Sequence, residues 1–244
     1  TFSGITKTVI DNTVHLTHSS TDINVKASAG LDGKYLRVFQ DSVDNITRLP
    51  EQAKHDRYVK VNNTASDKDD FWLKFVADDG TSGKGYWDET RSPAVSEGVD
   101  PATMPVALIL KADGTFVVGA LNGSDLPAIN GLIPEWEKRL VGDDETNIHP
   151  SFVNSTIQDI FLYSNRLGFL SDDNVILSQA GDYFNFYSKT ATTQTVADPI
   201  DLSCASVKPV VLNSVVPIAQ GLLLFSANQQ FLMEAENGTW TCLL

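Results

Sequence analysis

The stretch from residue 155 to 187, STIQDIFLYSNRLGFLSDDNVILSQAGDYFNFY, sets apolar side chains in short runs broken by turn residues. Ile160, Leu162, Leu167, Phe169, Val175, Ile176, Leu177, Phe184 and Phe186 are the apolar positions. Asn165-Arg166-Leu167-Gly168, Asp172-Asp173-Asn174 and Ala180-Gly181-Asp182 are the punctuation. A period near two, bounded by such turns, predicts three or four short antiparallel strands. Asn165, Arg166, Gly168, Gly181 and Asp182 are read as the turn builders of this blade-like unit.

The same pattern recurs along the chain. Runs at 6–10, 14–17, 23–26, 35–39 and 58–61 predict a strand-rich first part, with a turn at 29–33 and a short helix starting near Pro50. Residues 71–76 predict a strand with alternating faces, returning through a flexible turn at 78–85 to Tyr86 and Trp87. Runs at 106–110 and 115–119, separated by Lys-Ala-Asp-Gly, read as a hairpin. Pro134 opens one or two expected helical turns that end at Leu140. The polar loop 142–150 carries the expected boundary between a strand-rich domain with little helix, 1–148, and a second domain, 149–244. Further short strands are expected at 196–202, 207–211, 215–218, 222–226 and 231–234. Their nearly even spacing suggests a β-propeller or a sandwich. No amphipathic helix is long enough to cover a parallel sheet, so the fold class is mainly β.

The 244 residues suffice for one large all-β domain or two ordinary ones. No apolar run reaches the roughly 18 residues that a membrane-spanning helix needs, and residues 1–13 lack the basic and apolar regions of a signal peptide. The chain starts without Met and stops on apolar residues, so an internal piece of a longer protein is expected. Net charge is −13, as −8 before Ser151 (15 basic, 23 acidic) and −5 from there on (3 basic, 8 acidic). Such a surface repels phosphate and argues against sequence-specific nucleic-acid binding, while leaving room for a channel through which nucleic acid slides. Cys204 and Cys242 lie far apart in sequence and outside any CxxC, which predicts two isolated buried thiols in a reducing compartment.

Catalytic chemistry is not legible. His15 and His18, three apart in a strand, point to opposite faces, and no other ligand sits at zinc spacing. His55 and His149 read as surface residues. The pairs Asp69-Asp70, Asp78-Asp79, Asp143-Asp144 and Asp172-Asp173 fall where turns are expected, and aspartate is a turn residue. Nucleophile-elbow and phosphate-loop patterns are missing. No catalytic, cofactor or metal residue is therefore assigned. Arg166, the lone basic residue between Ser151 and Ser188, is expected to fix a turn by bidentate pairing with one of Asp159, Asp172, Asp173 or Asp182.

The segment from Trp136 to Ile160, running into NRLGFLSDDNVILSQAGDYFNF, resembles the tail tubular protein B (tail nozzle) family of short-tailed, podovirus-type phages. Trp136, Arg139, Gly142, Asp143, Pro150, Phe152, the stretch 165–169, Ser178, the stretch 181–183 and Phe186 carry the resemblance. Asp198-Pro-Ile-Asp201 and Leu224-Phe-Ser-Ala-Asn-Gln-Gln-Phe231 extend it, and residues 29–70 fit it more loosely. The resemblance implies a structural virion protein, assembled in the host cytoplasm and located in the phage tail. It implies a six-fold ring that docks on the tail tubular protein A adaptor, helps hold the tail fibres and encloses the channel that releases genomic DNA, without sequence-specific contacts. On this reading the chain is the middle portion of the family protein: a platform-like region, then the first antiparallel blades of a partial β-propeller that would need more strands to close.

Two readings from other classes compete. Phe71, Trp72, Tyr86 and Trp87, near Asp69, Asp70 and Asp88, would suit a carbohydrate-binding module or glycan hydrolase acting on the host envelope. A cellular β-propeller scaffold is the other.

Overall fold

The computed structural model describes residues 4–20, 23, 25, 37–62, 70–204, 206–236 and 239–243. The fold is mainly β, with seventeen strands among the described residues. It divides into two compact units.

The first unit takes residues 1–95, 141–146 and 190–192. Strands β1 (Ile5–Ile10) and β2 (Thr13–His18) form a hairpin whose turn places Asp11 at φ 46°. Strands β3 (Ser42–Val43), β4 (Gln52–Lys54), β5 (Tyr58–Val61), β6 (Phe71–Ala77) and β7 (Ser82–Thr90) form a sheet in the order β3-β5-β6-β7-β4. Only the β3–β5 pair of this sheet is parallel. Alternation along β6 buries Leu73, Phe75 and Ala77 on one face. Val43, Val59 and Val61 pack with Leu73, while Ala53 packs with Phe75 and Ala77.

The second unit takes residues 96–140, 147–189 and 193–244. It opens with the hairpin β8 (Ala107–Leu110) and β9 (Phe116–Gly119). Two four-stranded antiparallel meanders follow: β10 (Ile157–Tyr163), β11 (Arg166–Ser171), β12 (Asn174–Leu177) and β13 (Ile200–Ser203), then β14 (Leu212–Ile218), β15 (Gly221–Ser226), β16 (Gln230–Glu236) and β17 (Thr239–Leu243). The meanders pack face to face through Leu170, Val175 and Leu177 of the first and Leu222, Leu224, Phe231 and Met233 of the second. The opposite face of the first meander, through Phe169 and Ile176, packs on Met104, Leu121, Leu126, Trp136, Phe152 and Phe186. Burial on both faces explains why Val175-Ile176-Leu177 is a continuous apolar run.

Several sequence-based expectations change. The run 58–61 coincides with β5, and 71–76 and 106–119 match their strands to within a residue or two. Near Pro50 there is a 3-10 turn at Ile46–Arg48, capped by Asn45, followed by strand β4 instead of a helix. The residues after the proline are claimed by the sheet, where Gln52, Ala53 and Lys54 pair antiparallel with Lys84, Gly83 and Ser82 of β7. Residues 134–140 are not helical either; they are irregular, with one isolated bridge from Glu135 to Asn122. Their amides are drawn to neighbouring segments, Trp136 N–H to Leu121 O (3.0 Å) and Glu137 N–H to Phe184 O (3.0 Å), so tertiary pairing overrides local propensity. Residues 207–211, interrupted by Pro209, are not a strand, and only Ile200–Ser203 of 196–202 is one. The final strand, Thr239–Leu243, was not anticipated. The expectations at 23–26 and 29–33 lie wholly or largely outside the described residues; of 35–39, residues 37–39 are described and carry no strand. The cysteines are not free thiols: Cys204 and Cys242 form a disulfide, because the stacking of the two meanders brings their Cα atoms to 5.1 Å.

No helix among the described residues is long and apolar enough to cross a membrane.

Candidate functional site

Two polar centres organise the second unit. The first surrounds the β10–β11 turn. Tyr163 pairs with Arg166, leaving Ser164 and Asn165 as a two-residue connection with φ of 48° and 60°. Positive φ at both positions is the type I′ geometry that matches strand twist, and asparagine tolerates it. Arg166 and Gly168 therefore lie inside β11 rather than in the turn, which ends at Asn165, earlier than the punctuation suggested. Asn165 also holds the third turn of the sequence pattern, Ala180-Gly181-Asp182. Its carbonyl accepts from Gly181 N–H (2.8 Å), and its Oδ1 accepts from the Tyr183 hydroxyl (2.6 Å). Gly181 needs its missing side chain, since its φ is 79° and a Cβ would stand 3.4 Å from the Asn165 amide. Asp182 donates its N–H to Gln179 O and forms a surface ion pair with Lys189 at 3.6 Å. Gly168 sits opposite Phe161, whose ring lies where a Cβ would be, with Cζ at 2.3 Å.

Arg166 is buried, and its partners are main-chain carbonyls rather than the carboxylates its neighbourhood suggested. Nη1 donates to Ser178 O (2.6 Å) and Asp198 O (2.7 Å), and Nη2 donates to Val196 O (2.7 Å). One guanidinium thus ties β11 to the end of β12 and to the loop entering β13. Burial lowers its pKa, opposed in part by the Asp198 carboxylate. Arg166→Ala should lower stability by about 2–4 kcal/mol, since three carbonyls lose a charged donor. Urea unfolding measures it; a change below about 1 kcal/mol would show that the three bonds contribute little.

The second centre was not legible in the sequence. Arg139 is fully buried and donates to Ser96 O through Nε (3.3 Å) and Nη2 (3.0 Å), and to Asn147 O through Nη1 (2.9 Å). Its guanidinium stands 6.0 Å from the Tyr187 ring centre. His149 bridges the Ser96 hydroxyl (2.7 Å) and the Tyr187 hydroxyl (2.8 Å), so it is no free surface histidine. Asn147 exchanges two hydrogen bonds with the Ser188 main chain, and Asn185 links Tyr187 N–H to the Gln179 side chain. The network joins segments far apart in sequence. Its only advance sign was that the resemblance picked out Arg139.

Burial raises the Tyr187 hydroxyl to about 12, against a smaller opposing effect of Arg139. The unfolded chain ionises near the ordinary tyrosine value of about 10. Between these values the unfolded state binds fewer protons, so stability is complete below about pH 10 and falls as pH rises toward 12. Tyr187→Phe should flatten this alkaline decline. Urea midpoints across that range, compared with wild type, test it; an unchanged slope would assign the decline to other groups.

The carboxylates are occupied locally. Asp79 accepts from Thr81 and Ser82, Asp143 from Trp72, Glu145 and Thr146, Asp172 from the Ser155 hydroxyl, and Asp173 from Ser203. Asp70 is buried against Lys60 at 2.8 Å. The aromatic platform imagined for sugar does not assemble. Trp87 shares a face with Phe75, packing edge-on at 5.2 Å, whereas Trp72 and Tyr86 lie on the opposite face, separated by the Lys74–Asp88 pair. No group of three potential metal ligands occurs among the described residues. The geometry of both centres is that of structural joints.

Comparison with known proteins agrees with this architecture-first reading. Tail tubular protein gp12 of Escherichia phage T7 is 35% identical over 198 residues, covering 81% of this chain and 22% of the T7 protein. The chain thus spans about a fifth of that relative's length. The sequence profile of the family described as Bacteriophage nozzle protein matches residues 1–242. With nearly every residue inside that match, the chain belongs to the bacteriophage nozzle protein family.

Proposed function

We propose that this chain is a structural part of a phage tail nozzle, without catalysis, located in the virion and assembled in the host cytoplasm. The family match over 1–242 is the observation that carries this reading. In it, copies of the protein form a six-fold ring, dock on the tail tubular protein A adaptor and the fibres, and enclose the channel through which genomic DNA leaves. The two stacked meanders are successive blades of a β-propeller, and the earlier strands belong to a platform-like portion, with the division near residue 148.

Four observations support the reading. Each meander runs in strict sequential order, and the pair packs face to face, as propeller blades do. The outer face of the second meander carries an apolar row across all four strands: Val216 opposite Leu223, Leu223 opposite Leu232, Leu232 opposite Leu243. Val216 and Leu243 are about half exposed, so the stack has room for another blade. The β8–β9 hairpin presents Val106, Leu108, Leu110, Phe116 and Val118, each more than 60% exposed, a surface of the kind that assemblies cover. The net charge of −13 suits a channel that must not hold DNA.

Electron microscopy of the protein mixed with its adaptor tests the proposal. Six-fold rings with a central channel are expected; persistent monomers that ignore the adaptor would refute it.

A further inference from the structure

Cys204 directly follows β13, and Cys242 lies in β17; these are the last strands of the two stacked meanders. Their disulfide joins residues 38 apart and uses both cysteines of the chain. At the opposite edge, β10 and β14 lie side by side with no covalent link. Cys204 is 1% exposed, and its N–H is held by Asp173 O at 2.9 Å. The same β11–β12 turn also holds Leu212, the first residue of the next meander, through Asp172 O at 2.7 Å. The thiols are therefore positioned by the stacked sheets, and the bond closes one side of the seam between them.

Bacterial cytosol keeps thiols reduced, whereas the medium outside the cell is oxidising. We propose that Cys204 and Cys242 are a redox-timed staple: a dithiol while the protein is made and assembled, and a disulfide in the released particle. This inference rests on the virion reading above. In the step, both S–H bonds break and one S–S bond forms. The two protons and two electrons pass to dissolved dioxygen, which is reduced to hydrogen peroxide. The dithiol form lets the meanders stack by burial of their apolar faces alone, and oxidation then fixes the arrangement when no further assembly is needed.

The test alkylates free thiols in infected cells during an acid quench and, separately, in purified released particles, and then maps both cysteines by peptide mass spectrometry. Alkylated Cys204 and Cys242 inside cells, with a linked Cys204–Cys242 peptide in particles, is the expected result. Reduction of the protein from particles should lower its Tm by about 8–16 °C, from the length of the closed loop and the size of the unit. A Cys204→Ala/Cys242→Ala variant should show no such reduction-dependent shift. A linked peptide already present inside cells, or free thiols in released particles, overturns the staple while leaving the nozzle reading intact. Absence of the chain's peptides from purified particles overturns both.

Discussion

Arg139→Met should destabilise the second unit by about 3–5 kcal/mol, among the largest single-residue effects in the chain. Methionine keeps much of the aliphatic stem but donates nothing. The bonds to Ser96 O and Asn147 O vanish, and so does the cation beside the Tyr187 ring. These carbonyls belong to segments before and after the run 134–140, so their loss loosens three pieces of chain at once. Arg139→Lys should recover only part of the loss, because an ammonium cannot reproduce a planar fork aimed at two carbonyls. Urea denaturation followed by tryptophan fluorescence reads both variants, since Trp136 lies three residues away. A methionine variant within about 1 kcal/mol of wild type would mean that packing, not donation, holds Arg139 in place.

Phe169→Ala should cost a similar amount, about 3–5 kcal/mol, by a different mechanism. Phe169 is completely buried. It stacks on Phe186 (5.1 Å, 16°) and meets Phe152 (5.3 Å, 87°) and Trp136 (6.2 Å, 63°) at steeper angles. Alanine leaves a cavity among three aromatic rings and removes pair energies of about 0.5–1.5 kcal/mol each. Phe169→Leu should lose about 1–2 kcal/mol, since it fills most of the volume. Thermal unfolding of the two variants distinguishes the cases. Equal losses would show that the cavity is not the main cost and that ring geometry is.

Strands were legible where the determinants are local. In 58–61, 71–76 and 106–119 the two-residue period and the turn residues suffice, because strand-forming side chains and turns are chosen over a few residues. The turn at Ser164-Asn165 was legible only to within two positions, since asparagine and the following Arg-Leu-Gly could each have ended the strand. Pro134 to Leu140 failed for the opposite reason. Its proline start suits a helix, but Trp136 and Arg139 are both buried and the Trp136 and Glu137 amides are claimed by the Leu121 and Phe184 carbonyls. Nothing within seven residues announces that.

The candidate site followed the same divide. Arg166 stood out as the lone cation of its region, yet its acceptors at Val196 and Asp198 lie some thirty residues on, so its carboxylate partners were misassigned. The Arg139–His149–Tyr187 network arises from segments far apart in sequence that meet only in the folded second unit, and the Cys204–Cys242 bond from strands that meet only after the meanders stack. Spacing rules for metals and disulfides look for nearby partners, and these have none. The aromatic cluster at 71–87 shows the converse error. Residues close in sequence were grouped, but strand alternation sends Trp72 and Tyr86 to one face and Trp87 to the other.

At issue is whether this chain is built into a phage tail as stacked blades. An electron cryomicroscopy reconstruction of the tail of released particles tests that directly. Density in the nozzle wall that fits two consecutive four-stranded meanders, packed through Leu170, Leu177, Leu222 and Phe231 and joined at Cys204–Cys242, is the predicted result. A tail whose wall is fully accounted for by other proteins, with no density for this pair of sheets, would contradict it.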